Sequence, residues 1–559
     1  MSVVEPQREI ESWMRLWRHP AAEPLVLLAA VVWIVGVERL GPGAEAIGRP
    51  TRDLFDHVAL LDGWFLHTSE WNLPIGGAVF PADPSGMLLS LPFQWLGAGA
   101  AYSWAVVLQL WLTALAGWAL GRRFGSGLVA GAAFGLSPYL VGQAMTGEAE
   151  TLCAWPLAGV AWLLERGDRR SAIGAGLLAA VGAVSSWYHG VFIAAYLVLY
   201  MLVCSRDSGG WRREPLWSLG SFVVAVAGPA WVYHGILMEP NQLFAGPTLP
   251  TYIEEHPQAM VAMVADPAGW IGLAQEGAPH VDLLGGVILL LAISGAISMW
   301  RDGVRARRQL GWWLAVAGLG LGLSLGPVLV LQGSQIFDWA PGRLISHLPI
   351  LERMRLSHRW MLVATLALSV LAARGGRTLA PLFAGMILLE SAWFGVPDRP
   401  STSMESPAIH QELRGPVLDL PARTLGDDAR GRYLVWQRSH GQATPYALLM
   451  QAWSDPLAAE PLVIAMSALD SRDPIALRPA EARQFRQEAF AKEVSAWRAE
   501  PGHDRLVGAA ERLREMGLSH VVLHLELLDP VAGTKARALL ETQLGAPQVE
   551  TSEALLWDL

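Results

Sequence analysis

The stretch "LSPYLVGQAMTGEAETLCAWPL", Leu136 to Leu157, sets two apolar runs on either side of a short polar turn that carries Glu148 and Glu150. The same alternation recurs along the chain. Runs of roughly 17 to 25 apolar residues are the length a helix needs to cross a bilayer. About eleven such segments are predicted, at 23–40, 101–120, 127–143, 152–165, 171–187, 190–204, 215–237, 281–300, 310–331, 358–374 and 378–396. Pro138, Pro156 and Pro229 interrupt three of them.

Composition agrees. Of 559 residues, 52% are AVILMFWYC and only 16% are charged, with a mean hydropathy of +0.33, too apolar for an ordinary soluble enzyme. The formal charge of -9 and the scatter of Arg over short loops argue against a nucleic-acid partner. Cys153 and Cys204 both lie within apolar segments, as packing residues do. The chain therefore reads as an α-helical polytopic membrane protein.

Loop charge gives the orientation. Arg122 and Arg123, Arg166 to Arg170, Arg206 to Arg213, Arg301 to Arg308, and Arg374 to Arg377 occupy alternate loops, which the positive-inside rule places in the cytoplasm with the N-terminus. The "AEA" at Ala44–Ala46 superficially resembles a cleavage site, but the long leading segment and the helices after it favour an uncleaved first helix. The outer side then receives loops 41–100, 144–151, 188–189, 238–280 and 332–357, and everything after about 397. Two domains follow: 1–397 in the membrane with its long first outer loop, and 398–559 as an extracytoplasmic α/β domain. In the latter, 416–422, 520–527 and 554–559 read as strands, and 480–498, 505–517 and 529–543 as helices. Within the first loop, 57–67 and 85–99 read as helices lying in the interface plane.

The outer loops hold the residues with chemistry. In "RDLFDH" (Arg52–His57), helical geometry would put Asp53, Asp56 and His57 on one face. Such carboxylates can act as a general base, take a divalent cation or hold a sugar hydroxyl; the same stretch also fits a solvated loop with an Arg52–Asp56 pair. In "LERMRLSHRW" (Leu351–Trp360), Arg355 and Arg359 fall four residues apart with Arg353 and His358 in the same turn. Like charges at that spacing oppose a helix unless an anion, a pair with Glu352 or lipid headgroups offset them. Glu148 and Glu150 suit a polar turn or a supporting role. "EEH" (Glu254–His256) matches no strong metal spacing, and Trp187, Tyr188 and His189 read as an interfacial belt. The absence of a Walker loop, a Rossmann fingerprint, a nucleophile elbow and a zinc motif argues against ATP-driven chemistry.

Five elements in order resemble the GT-C superfamily of membrane glycosyltransferases, and within it the bacterial YfhO-like group: "RDLFDHVALLDGW", "VFPADPSG" (79–86), the opening stretch, "LGP" (325–327) and "LPILERMRLSHRW" (348–360). The chain differs from that pattern at Arg52, Glu148 and His358, where Gly, His and Pro are usual. The resemblance implies a GT-C-like fold in the bacterial inner membrane and transfer of a sugar from a polyprenyl-phosphate donor to an extracytoplasmic glycan or protein acceptor. It implies Asp53 as general base with Asp56 and Glu148 in support, and Arg353, Arg355, His358 and Arg359 at the donor phosphate. A divalent cation is the one cofactor that the carboxylates could take. A non-catalytic membrane subunit and a transporter of a lipid-linked intermediate are the competing classes.

Overall fold

The computed structural model describes residues 21–63, 83–204, 206–207, 210–211, 214–237, 264–271, 273, 282–348, 351, 354, 356–395, 399–422, 428–446, 455–469 and 488–559. In chain order the helices used below are α1 (Ala22–Val35), α2 (Arg52–Gly63), α3 (Ala98–Gly121), α4 (Gly127–Gly135), α5 (Pro138–Thr146), α6 (Trp155–Leu164), α7 (Arg169–Ser185), α8 (Trp187–Cys204), α9 (Glu214–Leu237), α10 (Gly286–Arg301), α11 (Val304–Ser324), α12 (Met361–Gly375), α13 (Ala380–Glu390), α14 (Asp428–His440), α15 (Pro461–Leu469), α16 (Glu488–Ala499), α17 (Ala509–Glu515) and α18 (Pro530–Leu544). The chain divides into two units, one built from the described parts of 1–47, 83–230 and 256–400, the other from those of 48–82, 231–255 and 401–559.

Each of the eleven apolar segments carries a helix. Among the described residues, Ala98–Gly121 and Gly127–Thr146 are long and apolar enough to cross a membrane, and five further apolar helices are shorter. The segment expected at 310–331 ends early as a helix, at Ser324, because Leu325-Gly326-Pro327 stops it and Leu329–Leu331 then pairs as a strand with Ser334–Phe337. In the first unit α12 is the centre: every residue from Met361 to Ala373 is buried, against α10, α11 and α4. Small residues permit this. A Cβ on Gly295 would meet the Leu371 carbonyl and one on Gly375 the Leu291 carbonyl, so α10 and α12 approach backbone to backbone. Outward faces of other helices are apolar instead, with Val224, Leu290, Leu389 and Trp231 all exposed, an arrangement that water disfavours.

The stretch at 136–157 folds as its punctuation dictates. Ser137 accepts the Leu140 N–H at 3.3 Å to cap α5, Pro138 occupies its first position, and Gly147 closes it at φ +84°, a left-handed conformation that suits glycine. Glu148 and Glu150 follow immediately, positioned by that turn.

In the second unit four strands form one sheet: β1 (Val417–Leu420), β2 (His520–His524), β3 (Val549–Glu550) and β4 (Ala554–Asp558), in the order β1-β2-β4-β3. β1 runs parallel to β2, with Val417 beside His520, and β4 runs antiparallel to β2, with Asp558 beside His520. One face of the sheet contributes Val417, Val522, Ala554 and Leu556 to a core closed by Ile409 and Leu413. Helix α2 belongs to this unit and packs on α14, with the Arg432 guanidinium 5.1 Å from the Phe55 ring centre. Its described side chains from Leu54 to Ala59 are buried; of the stretch 57–67 expected to lie in the interface plane, His57 to Ala59 are thus packed within the unit, and Trp64 to His67 lie outside the described residues.

Candidate functional site

The first unit holds a buried group of charges where α5, α8 and α12 end. Arg359 sits in a single 3₁₀ turn, Ser357–Trp360, directly before α12. Its guanidinium donates to Glu148 Oε2 at 2.9 Å and, through the other terminal nitrogen, to Glu150 Oε1. The ring of Tyr188 lies 4.7 Å from its Cζ, and the Tyr188 hydroxyl in turn accepts the Leu356 N–H at 3.3 Å. A planar cation is thus forked between two carboxylates and stacked on an aromatic face, a geometry that arginine satisfies and lysine does not. The three charged groups sum to one negative charge, so Arg359 is already neutralised within its own unit.

Arg359 lies in a 3₁₀ turn, and the described residues 354 and 356 before it are not helical. Arg353 and Arg355 themselves, Glu352, and "EEH" at 254–256 lie outside the described residues. His358 is fully buried beside Arg359. Glu148 serves as a partner of Arg359. In the second unit Asp56 and His57 are buried on α2; Asp53 is the second residue of that helix, and its side chain is outside the described set. Tyr188 and His189 form no interfacial belt, since both are buried. Tyr188 packs under Arg359 because the aromatic face recovers part of the cation's lost hydration.

Further residues at this site escaped the sequence reading. The Tyr139 hydroxyl and both side-chain polar atoms of Gln143, one turn apart on α5, are buried without hydrogen-bond partners among the described residues. Tyr139 feels the charges of Arg359, Glu148 and Asp282. Asp282, in the segment before α10, accepts the Asp266 N–H at 3.0 Å through Oδ2. The available signal was an acidic residue immediately before an apolar run.

No family model matches the chain, and no curated protein matches it in sequence. Solved structures do. The arabinofuranosyltransferase AftD from mycobacteria superposes with a TM-score of 0.53 at 15% identity, over 96% of this chain and 40% of that one; this chain therefore spans well under half the length of AftD. The oligosaccharyltransferase AglB of Archaeoglobus fulgidus, solved with an inhibitory peptide and a dolichol-phosphate, gives 0.42 at 10% identity over 90% of this chain and 69% of that one. ArnT of Cupriavidus metallidurans, solved with undecaprenyl phosphate, gives 0.41 at 13% identity over 96% and 98%. By its likeness to AftD the chain carries a GT-C-like fold.

Proposed function

We propose that the protein is an integral membrane glycosyltransferase that moves a sugar from a polyprenyl-phosphate donor to an extracytoplasmic glycan or protein acceptor. The observation that carries this reading is the buried Arg359–Glu148–Glu150 group set at one end of a GT-C-like helical unit. The opposite helix ends have a different character. There Arg122 stacks on Trp118, Arg166 on Trp162, Arg169 on Trp217 and Arg307 on Trp300, at 4.0 to 5.1 Å, as suits the headgroup region. Ser126 N–H bonds the Ala373 carbonyl at that end, whereas α12 starts beside Arg359 at the other. This supports a cytoplasmic face for the Arg loops, an outer face for the ion group, and a bilayer around the eleven helices between them.

In the proposed chemistry an acceptor hydroxyl attacks the anomeric carbon, its bond to the phosphate oxygen breaks, and the phosphate leaves with the electron pair. Asp53 takes the hydroxyl proton with Asp56 in support, and cations offset the charge on the departing phosphate. Direct displacement inverts the sugar carbon. Because Arg359 is already forked by two carboxylates, its role is to fix the segment that carries Arg353, Arg355 and His358, and the first two hold the phosphate. An Arg353→Ala, Arg355→Ala double variant, reconstituted in nanodiscs, is expected to bind polyprenyl phosphate at least about tenfold more weakly, the loss of one or more charge-assisted contacts. Unchanged binding by a variant of wild-type Tm removes the phosphate assignment.

A further inference from the structure

The second unit holds a second polar centre that the transfer proposal leaves unused. Asp419 stands in the middle of β1, His524 at the end of β2, and His410 in the turn Ala408–Glu412; they are 0%, 0% and 2% exposed. Both imidazoles aim the same atom at one oxygen: His410 Nε2 lies 3.0 Å and His524 Nε2 2.8 Å from Asp419 Oδ1. The other carboxylate oxygen, Oδ2, has no hydrogen-bond partner among the described residues, and neither has His524 Nδ1. As a purely hydrogen-bonded knot the arrangement is uneven. One oxygen accepts twice while its twin and an imidazole nitrogen are buried without a hydrogen bond among the described residues, which disfavours the knot.

A divalent ion removes the unevenness. The three ligand atoms all lie within 4.8 Å of one another, and the two measured N-to-O gaps approach the roughly 3.3 Å edge of a tetrahedron built on bonds of about 2.0–2.1 Å. Metal on both Nε2 atoms moves each ring's remaining proton to Nδ1. His410 Nδ1–H then donates to Ser406 Oγ, 2.8 Å away, and His524 Nδ1–H points to Glu526 Oε1 at 3.6 Å. The His410 ring thereby has the outer acceptor that metal-bound histidines ordinarily have. A third imidazole, His440 on α14, has its ring 5.0 Å from that of His410. Its Nδ1 accepts the Gln442 N–H at 3.0 Å, so in the neutral ring Nε2 carries the proton, making it a donor beside the centre and not a ligand.

We propose that His410, Asp419 and His524 bind a first-row divalent transition metal such as zinc, which fastens β1, β2 and the 408–412 turn. Two imidazoles and one carboxylate favour such ions over magnesium or calcium, which take oxygen donors. The ligands are 9 and 105 residues from Asp419 in sequence, so no short motif announces them.

The test uses the full chain, purified in detergent with its affinity tag removed, stripped with a chelator and dialysed against Zn²⁺ or Co²⁺. One equivalent of metal per chain is expected, with the d–d bands of a low-coordinate cobalt site and a Tm that falls on chelation and recovers with zinc. Asp419→Asn is expected to lose the equivalent, and Ser406→Ala, which keeps all three ligands, to weaken affinity about 10- to 100-fold. Less than a tenth of an equivalent on the wild-type chain overturns the proposal, as does a full equivalent retained with unchanged affinity by Asp419→Asn. The wild-type measurement decides even if Asp419→Asn fails to fold.

Discussion

Asp53→Asn is expected to lower the rate of sugar transfer by about 10²- to 10⁴-fold, the usual contribution of a positioned general base, with expression and Tm close to wild type. Asparagine is nearly isosteric with aspartate but cannot accept the acceptor's proton. The structural cost is small for a stated reason. Asp53 is the second residue of α2, where losing a negative charge from the first turn costs about 0.3–1 kcal/mol, while the helix is held by the buried run from Leu54 to Ala59 packed on α14. Asp56, by contrast, is buried within that packing, so its replacement acts on stability as well as rate. Undiminished transfer by Asp53→Asn, measured with a labelled donor, eliminates it as the base.

Arg359→Ala is expected to destabilise the first unit by about 3–5 kcal/mol, the cost of leaving buried charge without its partner. Glu148 is nearly as buried as Arg359, and both carboxylates lose the cation they share. Glu148→Gln alone should cost less, about 1.5–3 kcal/mol, because Glu150 still offsets the guanidinium. Arg359→Lys should recover only part of the loss, since an ammonium cannot fork to two carboxylates and stack flat on Tyr188 at once. The triple change Arg359→Met, Glu148→Gln, Glu150→Gln should recover more stability than Arg359→Ala, because it removes the charges together. Thermal unfolding in detergent measures all four. An Arg359→Ala variant as stable as wild type contradicts the buried-anchor role.

The helices were legible in the sequence because long apolar runs admit few alternatives, and Ser137, Pro138 and Gly147 mark the bounds of α5 by their own chemistry. The strands at Val417–Leu420, His520–His524 and Ala554–Asp558 fall within stretches read as strands, whereas α14 and α15 were not foreseen. α14 has few apolar residues apart from the run Tyr433–Trp436, which shows no helical period. The site was legible only in pieces. Glu148, Glu150 and Arg359 were each singled out, but 211 and 209 residues separate the carboxylates from the cation, and only the fold brings them together. Tyr188 and His189 misled because aromatic residues at a helix end resemble an interfacial belt. The histidine centre did leave a trace: Asp419 interrupts the apolar strand "PVLDLPA", and His520 and His524 alternate onto one face of "HVVLHLEL".

The most direct measurement of the central claim follows a labelled sugar supplied on polyprenyl phosphate to the full chain in proteoliposomes, with outer-face acceptor glycans and peptides present. Covalent transfer to an acceptor, with release of polyprenyl phosphate and inversion at the sugar carbon, is the predicted result. Movement of intact lipid-linked sugar across the bilayer without bond transfer, or neither transfer nor movement from a folded chain that binds the donor, contradicts it.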